Sequence, residues 1–226
     1  MRILLLSDIH GAADRLRDLS TELEAADLIL VAGDFTDFGG AEDLALLLGL
    51  LRRGKAPLVG VPGNCDRLGA RRLLEAEGLS ADGRLVEAGG LLVVGSGGGT
   101  FKTGLTPYER SEEELDESIE AALNASAELA AGSPLVVLTH APPHGTEADK
   151  RHGSHVGSRA FRSILEEVAP LLWVSGHIHE SRSVSREEAT LLVNPGPLHD
   201  GFYAVAELFR GPGGFRAEAE LARLGF

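Results

Sequence analysis

The chain has 226 residues, 43% hydrophobic and 24% charged, the make-up of a single globular domain and not of a disordered or fibrous chain. Its net charge of −13, with no Lys/Arg-rich segment, argues against stable nucleic-acid binding, because phosphate backbones would be repelled at long range. No apolar run reaches the roughly 18 residues that a membrane span needs, and the run Ile3 to Leu6 ends in Ser7-Asp8-Ile9-His10, unlike a secretory cleavage site. With Cys65 as the lone cysteine, a cytoplasmic domain spanning residues 1–226 and free of disulfides is the expectation.

The residues Arg2 to Leu6 read as a buried strand, since a short uninterrupted apolar run suits a parallel sheet covered on both faces. Leu16, Leu19 and Leu23 then recur at helical spacing. Leu28 to Val31 is a second strand, Glu42 to Arg53 a helix stopped by Gly54, and Pro57 to Val61 a third strand. This opening third is β-α-β-α-β. A short helix over Arg71 to Glu77 precedes a hairpin, Arg84 to Ala88 and Leu91 to Val94 around Gly89-Gly90, where the sheet is expected to turn antiparallel. After the irregular stretch Gly95 to Tyr108, Ser111 and Glu114 form a capping box for a helix to about Ala131. Leu135 to Leu138 is a strand leading into a long polar loop, Ala141 to Gly157, whose length alone suggests function. Ser158 caps a helix to Val168, and Leu171 to Val174, Thr190 to Val193, Phe202 to Leu208 and Phe215 to Leu221 complete the strands.

Potential metal ligands fall where these strands end. Asp8 and His10 lie two apart, and in the extended backbone expected there both turn to one side. Asp34 follows the second strand, Asn64 the third, His140 a later one, and His177 and His179 the next. The carboxyl ends of strands in a doubly wound sheet meet at one edge, so these seven converge. Seven mixed oxygen and nitrogen ligands exceed what one four-coordinate ion uses and suit two ions about 3.5–4 Å apart, with Asp34 as the candidate bridge. Imidazole with carboxylate and amide oxygen favours first-row divalent metals, Mn, Fe, Co, Ni or Zn, over calcium.

The series Asp8-Ile9-His10, Gly33-Asp34-Phe35-Thr36-Asp37, Gly63-Asn64-Cys65-Asp66, Thr139-His140 and Gly176-His177-Ile178-His179 resembles the calcineurin-like metallophosphoesterases. The segments Ser111 to Glu114, His140 to Pro143, His155 to Ser158 and Asn194 to Gly196 are also similar to the small Icc-related phosphoesterases. The resemblance implies an α/β fold, a four-layer α/β/β/α sandwich of two mixed sheets. It implies further that Asp8, His10 and His179 bind one metal, that Asn64, His140 and His177 bind the other, and that Asp34 bridges. The expected reaction is hydrolysis of a small phosphate ester by in-line attack of a metal-activated hydroxide, with Asp34 and Asn64 in the catalytic machinery.

Many relatives carry His where this chain has Cys65, and there it resembles a general acid; relatives with Cys are often phosphodiesterases, so the resemblance tilts toward small diesters such as nucleotides. The Cys65 thiol is itself a candidate catalytic proton donor, though a weaker hydrogen-bonding group than imidazole and equally suited to packing as a small apolar side chain. His144, His152 and His155 in the long loop are other candidates, of which His155 is the favoured general acid. A phosphomonoesterase or protein phosphatase of the same fold, or a non-catalytic interaction scaffold, are the alternatives; the intact ligand set speaks against the scaffold. Asp37 and Asp66 are equally suited to capping turns or orienting ligands. The glycine run Gly95 to Gly99 reads as a turn before it reads as a phosphate cradle, Arg159 as surface charge, Trp173 as core, and His199 as structural or exposed. Oligomeric state is not legible.

Overall fold

Residues 1–100, 103–127 and 132–225 are described by the computed structural model. The elements run β1 (Arg2–Leu6), α1 (Ala13–Asp18), α2 (Ser20–Ala25), β2 (Leu28–Ala32), α3 (Ala41–Leu51), β3 (Leu58–Val61), α4 (Leu68–Ala76), β4 (Leu85–Ala88) and β5 (Leu91–Ser96). They continue with α5 (Glu112–Ala127), β6 (Leu135–Thr139), β7 (Lys150–Arg151), β8 (Ser154–His155), α6 (Arg159–Val168) and β9 (Leu172–Val174). The chain closes with β10 (Ser183–Glu187), β11 (Thr190–Asn194), β12 (Phe202–Gly211) and β13 (Gly214–Arg223).

Two mixed sheets form, with strand orders β13-β12-β1-β2-β3 and β10-β11-β9-β6-β5-β4. The hairpin β4–β5 therefore does not turn the first sheet antiparallel; it founds the second, with β5 passing parallel to β6. The apolar pattern defines strands but not their partners, and partner choice is made by which faces pack.

That packing follows from the period of two along each strand. In β1, Ile3 and Leu5 face the second sheet, whereas Leu4 and Leu6 face α1 to α4. In the second sheet, Val136, Leu138, Leu172 and Val174 face the first, while Val137 and Trp173 meet Leu115, Ile119 and Phe161 of α5 and α6. Strands β1, β2, β3, β5, β6, β9 and β11 are buried on both faces, which is why they read as uninterrupted apolar runs. The result is the α/β/β/α sandwich implied by the resemblance. Trp173 is fully buried, and its indole donates to the Thr139 hydroxyl at 2.9 Å, so the one polar atom of this core residue is satisfied.

The expected caps are present. Glu114 N–H donates to Ser111 Oγ at 3.2 Å while Ser111 N–H donates to the Glu114 carboxylate at 2.7 Å. Phe161 N–H donates to Ser158 Oγ. The expected continuation of α5 to Ala131 falls on residues 128–131, outside the described residues. Strand β10 leaves no signal in the sequence, because Ser183–Glu187 is a half-buried edge with little apolar content. The segment Ala141 to Gly157 is also less loop-like than its sequence suggests: it holds the ribbon β7–β8, with Lys150 opposite His155 and Arg151 opposite Ser154. Among the described residues no helix is long and apolar enough to cross a membrane.

Candidate metal centre

At the carboxyl ends of β1, β2, β3, β6, β9 and β11, loops from both sheets lace together. Asp8 N–H donates to Gly33 O, His10 N–H to Asp34 O, Gly176 N–H to His140 O, and Leu198 N–H to Ser7 O. Close approach requires glycine at two ligand-bearing turns. A Cβ on Gly63 would overlap Asp34 Oδ1, and one on Gly176 would overlap Ser7 Oγ, so neither position admits a side chain.

The backbone at the ligands is not extended as expected from their spacing. Asp8 (φ 51°), His10 (φ 47°), Asp34 (φ 50°) and His177 (φ 67°) all occupy the left-handed region. Each costs roughly 1–2 kcal/mol relative to the right-handed conformation, and such strain collects at functional sites. The tight turns, and not strand alternation, bring Asp8 and His10 together.

Three overlapping donor groups result, each with its atoms within 4.8 Å of one another: Asp8, His10 and His179; His10, Asp34 and Cys65; Asp8, Asp34 and His140. The Asp34 Oδ2 atom lies 3.7 Å from His10 Nε2 and 3.4 Å from His140 Nε2, so one oxygen faces both sides of the cluster. Asp8 Oδ1 lies 3.2 Å from His179 Nε2 and 3.9 Å from His10 Nε2. Asn64 Oδ1 lies 2.8 Å from His140 Nε2, and the His177 ring centre is 4.9 Å from that of His140.

The orientation of these side chains is imposed from behind. Ala32 O accepts from His140 Nδ1 at 2.8 Å, which turns Nε2 toward the cluster. Asn64 Nδ2 donates to Cys65 Sγ at 3.3 Å, leaving the amide oxygen on the ligand side. Cys65 N–H donates to Asp34 Oδ1, while Ser7 Oγ and His177 N–H donate to Asp8 Oδ2. Of the seven buried side-chain atoms without a hydrogen bond among the described residues, two belong to these ligands, Asp8 Oδ1 and His10 Nε2, and both point into the cluster. Orphaned buried donors and acceptors of this kind are what a divalent cation satisfies, and the mixture of imidazole, carboxylate and amide fits a first-row metal.

In the metal-free cluster the two carboxylates and the imidazoles balance one another, so a bound divalent ion would take the place of the proton on His140. Burial opposes ionisation at Asp8 and Asp34, yet the neighbouring imidazoles keep both carboxyls below their usual range. Burial likewise disfavours the His140 cation, but the two carboxylates hold it up at about 9. Burial and the His140 charge push His177 down to about 4, which leaves a neutral imidazole free to ligate. Burial and the Asp34 carboxylate push the Cys65 thiol far up, so it packs and accepts a hydrogen bond but does not exchange protons near neutral pH.

Other sequence candidates are placed elsewhere. Asp66 is fully buried and receives Phe35 N–H, Thr36 N–H, Thr36 Oγ1–H and Gly63 N–H, tying the loops after β2 and β3; burial and Asp34 still push it up to about 6. Asp37 is exposed. The N–H groups of Gly97, Gly98 and Gly99 bond to Asp82, Pro62 O and Tyr108 O, so that run offers no phosphate cradle. His155 meets the buried Asp149 at 2.5 Å through Nδ1 and stands 5.8 Å from the His144 ring, in the ribbon and not among the ligands. Arg159 is exposed at the start of α6. His199, read as structural or exposed, packs its ring against the ligands, 5.1 Å from His10 and 5.3 Å from His179, with Nδ1 3.2 Å from Asp8 O. The signal for it was its place after β11, which runs parallel to β9 and so ends at the same edge.

Two cavities open at the cluster. The larger, about 390 Å³, is lined by Asn64, Gly99, Thr103, Leu105, Thr106, Glu109, Arg151 and His177. The smaller, about 190 Å³, is lined by Arg151, His177, Ile178, His179 and Glu180.

Comparison with known proteins agrees with this geometry. The family model described as calcineurin-like phosphoesterase matches residues 1–181. An uncharacterized protein of Methanocaldococcus jannaschii is 32% identical over 206 residues, covering 87% of this chain and 88% of its own. A crystal structure from Thermus thermophilus has the same fold with a TM-score of 0.73 at 19% identity, across 99% of both chains. A dimetal phosphatase from Danio rerio gives a TM-score of 0.65 at 14% identity, across 100% of this chain and 99% of its own. With the family matched over most of its length and the ligand-bearing turns in place, the chain belongs to the calcineurin-like phosphoesterases, a family of metal-dependent hydrolases.

Proposed function

We propose that the chain is a two-metal phosphoesterase acting on small phosphate esters, with diesters preferred. The observation that carries this reading is the shared, under-satisfied carboxylate pair: Asp34 Oδ2 lies within 3.7 Å of imidazoles on both sides, and Asp8 Oδ1 accepts no hydrogen bond. Asp8, His10 and His179 would hold one divalent ion, Asn64, His140 and His177 the other, and Asp34 both. When bound, such ions acidify water and neutralise the charge of a phosphoryl group.

The chain's own residues orient and insulate. Ala32 O fixes the His140 tautomer, Cys65 fixes the Asn64 amide, and His199 walls His10 and His179 from the side. His155, paired with Asp149 in the ribbon, is not required for esters with good leaving groups. The buried thiol and lone cysteine suit a reducing, cytoplasmic setting.

Reconstitution with Mn²⁺, followed by metal analysis and rates on bis-p-nitrophenyl phosphate and p-nitrophenyl phosphate, tests the reading. Two ions per chain and a higher kcat/KM for the diester are expected. A higher kcat/KM for the monoester would make the chain a phosphomonoesterase. Less than one ion per chain without hydrolysis would make it a scaffold.

A further inference from the structure

Both cavities at the metal centre share the same two residues, Arg151 and His177, which stand as a ridge between them. His177 belongs to the ligand cluster; Arg151 is carried there by the ribbon β7–β8. The two sides differ in chemistry. The larger cavity is walled by Leu105, which is 79% exposed, and by Thr103 and Thr106. The turn bearing Leu105 is held in shape by Glu109, which receives the N–H groups of Gly104, Leu105 and Thr106, so its backbone donors are spent and it shows side chains to the cavity. The smaller cavity adds the polar His179 and Glu180.

The Arg151 guanidinium forms no hydrogen bond or ion pair among the described residues. Its neighbour Lys150, in contrast, places its ammonium 2.6 Å from Glu147. A guanidinium with unspent donors beside a metal centre is suited to a phosphoryl oxygen. A phosphodiester has two organic substituents flanking one anionic phosphate, and the ridge offers that arrangement in the same order.

We propose, resting on the phosphoesterase reading above, that the cavities are the two substituent subsites of an unsymmetrical phosphodiester and that Arg151 binds the phosphate between them. The larger takes an apolar, ring-sized group against Leu105; the smaller takes a compact, hydroxyl-bearing group beside Glu180.

The test uses the Mn²⁺-loaded full chain and the variants Arg151→Gln, Lys150→Gln and Leu105→Trp. Arg151→Gln should raise KM for bis-p-nitrophenyl phosphate about tenfold, as expected for loss of one hydrogen bond to a charged group, with kcat within about twofold. Binding of phenylphosphonate, measured by calorimetry, should weaken by a similar factor. Lys150→Gln removes the same charge one residue away and should change neither. Leu105→Trp narrows the larger cavity and should raise KM for the diester about fivefold while leaving that for p-nitrophenyl phosphate within about twofold, because a monoester can use the other cavity.

An active enzyme in which Arg151→Gln leaves KM and phosphonate binding unchanged overturns the proposal and leaves the phosphoesterase reading intact. Equal losses in Lys150→Gln overturn it too, as does an equal effect of Leu105→Trp on both esters. If the wild type turns over no ester yet binds phenylphosphonate through Arg151, the hydrolase reading fails and the phosphate subsite stands. Absence of phosphonate binding by the wild type overturns the subsite.

Discussion

Two buried carboxylates in this protein have opposite fates. Asp149 is fully buried and receives the N–H groups of Gly145, Thr146 and Gly157, with His155 Nδ1 at 2.5 Å, so its charge is met by donors from its own segment. Asp8 is equally buried, yet only one of its oxygens is met in that way, while Oδ1 makes no well-aligned hydrogen bond and faces the His179 and His10 rings at 3.2 and 3.9 Å. The first carboxylate makes the 145–157 segment a fixed structure; the second turns one oxygen toward imidazoles alone, an arrangement a shared cation is suited to occupy. Burial by itself is thus uninformative about function, whereas the pattern of unmet atoms distinguishes a structural acid from a ligand.

The sharpest way to break this contrast is to neutralise each acid in turn. Asp34→Asn should lower kcat on the order of 10³-fold, the several kcal/mol that a metal centre supplies. Retained turnover would remove Asp34 from the bridge. Asp149→Ala should do the reverse, costing about 3 kcal/mol through stranded N–H groups, or roughly 6–12 °C in melting temperature, with metal content unchanged. Urea denaturation with metal analysis on the same sample reads both.

Chelation is the next test in size. Ions present at a hundred times their dissociation constant stabilise by about 2.7 kcal/mol, so EDTA should lower the wild-type melting temperature and should leave Asp34→Asn nearly unmoved. A wild-type curve indifferent to EDTA would contradict the assignment of the unmet atoms to metal.

The smallest effect concerns Glu109, whose carboxyl the Thr103 hydroxyl and the turn amides hold down at about 2, against 4.5 for an ordinary glutamate. The folded value lies below the unfolded one, so the ionised form stabilises the turn above pH 4.5, and this support is lost as pH falls through about 2. Hydrogen exchange at Gly104, Leu105 and Thr106 should therefore accelerate over that interval. Glu109→Gln should show several-fold faster exchange at neutral pH. Protection insensitive to both would mean that the turn is held by something else.

Much of this was legible in the sequence, for physical reasons. A ligand that follows an uninterrupted apolar run announces both the strand and its exit, and all seven of Asp8, His10, Asp34, Asn64, His140, His177 and His179 are of that kind. The division into two sheets was not legible from the runs, because Val93 and Val136 carry no mark of which strand they will pair with. The position of His199 beside the ligands was not legible, since the two rings it packs against are brought to it from the ends of β1 and β9. Asp149 escaped notice for a related reason: its donors are backbone N–H groups that no sequence displays. Arg151 looks like any surface arginine until the ribbon carries it to the cavities.

The left-handed turns at Asp8, His10, Asp34 and His177 have a practical consequence for anyone engineering heat tolerance. Glycine at any of them relieves backbone strain of roughly 1 kcal/mol. At Asp8 and Asp34 that gain is outweighed by the stranding of Ser7 Oγ, His177 N–H and Cys65 N–H. At His10, whose Nε2 makes no hydrogen bond, a selection scored on folding alone would drift toward glycine, yielding a sturdier protein whose chemistry had been silenced. Thermostable variants must therefore be ranked with a turnover assay in the same screen.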